Sequence, residues 1–228
     1  MKTVTLLDKT AIVTGGNGAL GSVVCRILAQ EGCTVYATVR PSTKPTLPAE
    51  VRPIMADVTK EEDVVSGFAN VLRERKQIDI LINTVGGFLP RTMLQDLPTS
   101  DWDHMMSLNL RSTFLCTREA LRAMRGQSYG RIVNIAAMGG VHPTAGRAAY
   151  GISKAGVILL TDVVAQELKG TGITINAIAP YIIDTPANRA SMPDENFSRW
   201  VTPESIADTI VFLCSETASS ISGTVVKV

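Results

Sequence analysis

The sequence predicts a single α/β domain built as a doubly wound parallel sheet of about seven strands. Three observations carry that expectation. Strand-like and helix-like segments alternate almost throughout the chain. The strand-like segments are continuous apolar runs, as strands covered on both faces require. The first of them meets the first helix through a glycine-rich turn, Thr14-Gly15-Gly16-Asn17-Gly18-Ala19-Leu20-Gly21. At 228 residues, 45% hydrophobic and 19% charged, the chain is long enough for one well-buried domain and short for two.

Ala11-Ile12-Val13 reads as a short buried strand. The helix after the turn sets Leu20, Val23, Val24, Ile27 and Leu28 on one face. Gly32 ends it, and residues 34–39 are β-branched and aromatic enough for a second strand. Pro41, Pro45 and Pro48 then forbid regular structure and mark an exposed loop. Residues 51–56 predict a third strand, 59–75 a helix, and 78–82 a fourth strand. A long helix is expected over about 100–124, with Ser100 or Thr99 as its cap. Residues 132–136 form the fifth strand. The next helix carries Tyr150, Val157, Leu160, Val164 and Leu168 at burial spacing. A sixth strand (173–178), a last helix (203–214) and a final strand (223–228) complete the order.

The bulk numbers exclude several function classes. A net charge of +1 gives no broad basic surface, so neither nucleic acid nor an anionic membrane is expected as a partner. Cys25, Cys33, Cys116 and Cys214 show no metal-type or redox-type spacing and read as free thiols in a reducing compartment. With only His104 and His142 as imidazoles, no structural zinc site is expected. Residues 1–8 are too short and too soon charged for a signal segment. No apolar run is expected to reach membrane-spanning length. A cytoplasmic protein acting on a small molecule follows.

Two motifs carry chemistry. In Tyr150-Gly-Ile-Ser-Lys154 the i, i+4 spacing places phenol and ammonium on one helix face. A nearby cation favours the phenolate, which suits Tyr150 to exchange a proton. In the glycine-rich turn, the backbone can approach a pyrophosphate closely, and the following helix N-terminus supplies amide donors. At the end of the second strand stands Arg40, with Lys44 nearby, where a carboxylate would select an unphosphorylated ribose. Arg40 suits bidentate phosphate recognition, so NADP(H) is favoured and NAD(H) is the alternative.

Thr14, Gly15, Leu20, Gly21, Asn83, Gly86, Asn109, Tyr150 and Lys154 together resemble the fingerprint of the short-chain dehydrogenase/reductase family. Ala19 occupies the place usually held by that fingerprint's middle glycine, with Gly18 just before it. The resemblance implies a Rossmann-type NAD(P) domain over residues 1–228, with a substrate loop at about 181–202. It gives Asn17, Gly18 and Ala19 to the pyrophosphate turn and Asp57-Val58 to the adenine. Pro180, Ile183 and Thr185 are given to the nicotinamide carboxamide, although Tyr181 stands where glycine is usual. It makes Tyr150 the general acid, Lys154 its partner and ribose anchor, and Asn109 a support for a proton path.

The family's serine falls at Ala137, thirteen residues before Tyr150. Losing such a donor typically costs on the order of a hundredfold to a thousandfold in rate. Thr144, Ser153 or a backbone amide are the available replacements. Residues 15–22, 85–88, 184–189 and 191–200 resemble dihydropteridine reductases, which also lack that serine. That likeness implies a quinonoid dihydropterin or related ring as acceptor, while a ketone or 3-oxoacyl thioester is the broader alternative. A cofactor-binding regulator with little catalysis is the expectation from another class. Phe88, Met192, Phe197 and Trp200 are candidate substrate contacts, Phe197 and Trp200 being equally readable as loop anchors. The resemblance also implies a homodimer, paired through the long helix near Asn109 and the Tyr150 helix. Ending at Val228, without the extension that helps the family build tetramers, favours a dimer over a tetramer.

Overall fold

The structure, a computed structural model, describes residues 6–228; the signal-segment expectation falls largely on residues outside that range. Seven strands, β1 (Thr10–Thr14), β2 (Thr34–Val39), β3 (Arg52–Met55), β4 (Ile80–Asn83), β5 (Gly130–Ile135), β6 (Ile173–Ala179) and β7 (Val225–Lys227), form one sheet in the order β3-β2-β1-β4-β5-β6-β7. All six pairings are parallel. The helices are α1 (Ala19–Gln30), α2 (Glu61–Arg75), α3 (Thr99–Met105), α4 (Ser112–Ala123), α5 (Met138–Val141), α6 (Ala148–Glu167), α7 (Pro186–Ser191) and α8 (Pro203–Cys214).

Period-two alternation along buried strands builds two apolar layers. Ala11, Val13, Ile80, Ile82 and Val133 face α1 and α8, whose Val24, Cys25, Leu28, Ile206 and Ile210 complete that side. Ile12, Leu81, Ile132 and Ile175 face α2, α4 and α6, meeting Val64, Phe68, Leu115, Ala120 and Val164. Each such aliphatic side chain contributes roughly 1.5–3 kcal/mol on burial. Because both faces are covered, continuous apolar runs were the correct signal for these strands.

The chain winds outward from β1 through β2 to β3, then crosses back to β4 on the other side of β1. That reversal opens a crevice beyond the carboxyl ends of β1 and β4, where α/β sheets bind ligands.

Two expectations are corrected. The helix expected over 100–124 is not one α-helix: α3 passes through a π-helical turn, Met106–Arg111, before α4 begins. Apolar periodicity does not distinguish an i→i+5 turn from its α neighbours, and Asn109 lies inside this one. The second concerns apolar length. The 20-residue α6, with a mean hydropathy of 1.4 over an 18-residue window, is long and apolar enough to cross a membrane by those two measures. Its valines, isoleucines and leucines keep that mean high although Lys154 and Asp162 lie within it. In the fold α6 packs along β6 and the π-helical turn.

Candidate active site

Nearly every residue singled out from the sequence lies in a segment that leaves the carboxyl end of a strand. The glycine-rich turn follows β1. It is held by β2, since Gly15 N donates to Thr38 Oγ1 at 2.9 Å and Gly16 N to Thr38 O at 2.9 Å. Thr14 Oγ1 accepts from the amides of Thr84 (3.0 Å) and Val85 (3.2 Å), tying the turn to the end of β4. Gly15 has φ +75°, a conformation L side chains rarely adopt. A Cβ on Gly21 would lie 2.2 Å from Gly15 O, so the turn can close on α1 only with glycine there.

Gly18 and Ala19 are exposed at the start of α1, and no acidic residue sits in its first turn. Exposed backbone, a helix N-terminus clear of carboxylates and close glycine packing fit a dinucleotide pyrophosphate. Asn17 faces the proline-containing loop instead: its Nδ2 donates to Lys44 O (2.8 Å) and its Oδ1 accepts from Thr46 N (2.9 Å). Arg40 is exposed at the end of β2. Its charge helps hold the Asp57 carboxyl below its usual range, although the hydrogen bonds from Thr59 do more and burial opposes them. Arg40 and Asp57 therefore flank one region at the ends of β2 and β3.

Three expected cofactor residues turn their side chains inward. Leu20 and Val58 belong to the core. Asn83, 2% exposed, donates from Nδ2 to Asn134 Oδ1 (2.9 Å) and Thr117 Oγ1 (3.2 Å). Their backbones alone remain for a ligand. After β6, Pro180 is buried and its carbonyl accepts from Met138 N at 3.1 Å. Ile183 bridges Val201, and the Thr185 side chain caps α7 by accepting from Asn188 N. This braces the loop across the sheet end.

Lys154 and Asn109, two of the residues expected to handle the proton, meet between β4 and α6. Lys154 is 5% exposed and its Nζ donates to Ile135 O at 2.7 Å. Burial pulls its pKa from 10.5 down to about 8. Asn109, fully buried, donates from Nδ2 to Ser153 Oγ (2.9 Å) and Gly87 O (3.1 Å), and its Oδ1 accepts from Gly87 N (2.8 Å). The π-helical turn aims it there. A Cβ on Gly86 would stand 2.9 Å from both Asn109 Oδ1 and Lys154 Nζ, so Gly86 keeps the space beside these two groups open.

Tyr150 is half-buried, and its pKa is raised, chiefly by burial. The cation that pulls it back down is Arg147, not Lys154 as the i, i+4 spacing suggested. Lys154 instead turns to the β5 carbonyl. Arg147 was missed in the sequence, and its signal was its place three residues before Tyr150, at the N-cap of α6.

Ala137 is buried and carries no donor. Ser153 does not replace it, because its hydroxyl donates to Tyr150 O (2.8 Å) and accepts from Asn109. Thr144 is exposed. Among the candidate substrate contacts, Phe88 is 51% exposed while Trp200 is only 7% exposed. Trp200 packs its ring 4.6 Å from that of Phe197. It is therefore the loop's anchor rather than the roof of a pocket. Met192 and Phe197 are half-buried on the same loop.

A family model described as short chain dehydrogenase matches residues 9–196. The chain is 32% identical to the 3-oxoacyl-(acyl-carrier-protein) reductase FabG of Aquifex aeolicus, over 98% of this chain and 96% of that protein. It is 31% identical to the acetoacetyl-CoA reductase of Allochromatium vinosum, over 95% of each. The crystal structure of gox2181 resembles it with a TM-score of 0.89 at 28% identity, covering 98% of this chain and 95% of that one. These matches do not show the local likeness to dihydropteridine reductases. The chain belongs to the short-chain dehydrogenase family and is an oxidoreductase of the kind that uses a nicotinamide dinucleotide on small molecules.

Proposed function

We propose that this chain is an NADPH-dependent carbonyl reductase acting on a small ketone or 3-oxoacyl compound. The observation that carries the reading is the meeting of Asn109 beside Gly86 with Lys154, which lies on the helix that also carries Tyr150, together with a glycine turn fit for a dinucleotide. The cofactor, when bound, supplies the hydride. Tyr150 donates its proton to the acceptor oxygen, and a raised pKa keeps it protonated until that moment. Lys154 lies behind it and would hold the nicotinamide ribose, while Asn109 fixes the Gly87 backbone and the Ser153 hydroxyl beneath Tyr150. Gly15, Gly18, Gly21, Arg40, Asp57, Ile183 and Thr185 would hold the rest of the cofactor.

The preference for NADPH over NADH rests on Arg40 and on Lys44, which Asn17 holds beside the turn. Residues 1–228 act as one domain, with 181–202 as the loop over the acceptor. Four buried free thiols support a reducing, cytoplasmic setting. Exposed Phe114 on α4 and Ile152, Leu159 and Val163 on α6 support a homodimer through these helices.

Ala137 favours one second reading, a quinonoid dihydropterin acceptor, which has no ketone oxygen to polarise. NADPH oxidation by the purified protein separates them. With a panel of ketones, 3-oxoacyl thioesters and quinonoid dihydropterin, the carbonyl reading expects turnover of ketones or thioesters above that of the pterin. Fast pterin reduction with slow ketones would reverse the assignment. NADPH binding with no reduction of any acceptor would favour a regulatory protein.

A further inference from the structure

Two segments at the carboxyl ends of β4 and β5 carry basic residues and no acidic ones. Segment 84–95 leaves β4, and segment 137–149 runs from β5 into α6. Neither contains Asp or Glu, while together they hold Arg91, His142 and Arg147. The two segments are fastened to each other: Thr92 N donates to Gly146 O at 2.9 Å, and Arg147 Nη1 donates to Leu89 O. A Cβ on Gly146 would lie 3.4 Å from Arg91 Cβ, so the two arginine-bearing strands of backbone are neighbours.

Arg147 is half-buried, with its guanidinium carbon 5.9 Å from the centroid of the Phe88 ring. Among the described residues it forms no ion pair. Its charge reaches the Tyr150 hydroxyl. One of its five N–H groups is spent on Leu89 O, and the planar fork is otherwise suited to two carboxylate oxygens. Removing a guanidinium from water without a counter-charge is unfavourable, and Arg147 stands at the start of α6, three residues before Tyr150.

We propose that Arg147 binds an anionic group of the acceptor, so that the preferred substrate is a small oxo acid whose carboxylate lies within a few bonds of its carbonyl. The proposal rests on the carbonyl-reductase reading and narrows its substrate class. Arg147 and Tyr150 then divide the acceptor between them: the fork fixes the carboxylate and the phenol faces the carbonyl oxygen. The exposed Phe88 ring shields the guanidinium from solvent on one side.

The test compares acetoacetate with its uncharged methyl ester in the intact protein, with NADPH, for wild type, Arg147→Met and Arg147→Lys. Wild type is expected to favour the acid in kcat/KM. In Arg147→Met the acid-to-ester ratio should fall roughly ten- to hundredfold, the range of one charge-assisted hydrogen bond, and less in Arg147→Lys. Acetoacetate binding to the NADP+ complex, in which no reduction occurs, should weaken by a similar factor in Arg147→Met. An unchanged ratio, or a wild type that prefers the ester or a long thioester, would overturn the proposal. Arg147-dependent acetoacetate binding without reduction of acid or ester would sustain the anion site and refute the carbonyl-reductase reading.

Discussion

Ala137 stands where the resemblance to the family places a serine. Its methyl sits buried at the end of β5, and the nearby Ser153 hydroxyl is committed to Tyr150 O and Asn109. If a ketone oxygen is reduced here, Ala137→Ser should raise kcat/KM for ketones at least about tenfold, because one donor to a developing oxyanion is worth on the order of a hundredfold. Steady-state kinetics with one ketone check this, and no gain would mean the acceptor needs no such donor. Lys154 gives a second expectation. Its folded pKa, about 8, lies below the 10.5 of an unfolded lysine, so the fold disfavours the ammonium form. That penalty is full below about pH 8 and fades as pH rises to 10.5. Lys154→Met should therefore be more stable than wild type at pH 7, by about 1–3 kcal/mol, with the gap closing near pH 10.5. Denaturant titrations at the two pH values measure it; a gap that widens with pH would contradict the assignment.

At the scale of elements, the strands and most helices were legible because burial on both faces leaves an apolar signature. The expected strands 34–39 and 173–178 match β2 and β6 to within a residue, and the expected 203–214 matches α8. The misses have physical causes. The π-helical turn at Met106–Arg111 shares the apolar spacing of the helices around it, yet it brings Asn109 to the Gly87 backbone. The short α5 and α7 lie in glycine-rich or polar segments without periodicity. Within the site, motif residues were legible as positions but not as directions: Asn83, Leu20 and Val58 point into the core, and Lys154 to a strand carbonyl. Gly86 tests this packing of elements against each other. Gly86→Ala would press on Lys154 Nζ and Asn109 Oδ1 at 2.9 Å, and the flexible lysine end must yield. Activity should fall roughly ten- to hundredfold through displacement of Lys154, with a melting temperature within a few degrees of wild type. Full activity, or loss of the fold, would show that the contact is not what positions Lys154.

For the whole molecule, one sheet sets all these groups on a common edge. The reversal between β1 and β4 opens the crevice, the glycine-rich turn after β1 lies at its edge, and α6 carries Tyr150 and Lys154. The account stands on Tyr150 as the proton donor in a hydride transfer. The most direct measurement is therefore kcat/KM for NADPH-dependent reduction of one ketone by wild type and Tyr150→Phe, with NADPH binding measured in parallel. A loss of about a hundredfold or more with binding retained is the predicted result, in the range a positioned general acid contributes. Equal turnover by the two proteins would contradict it.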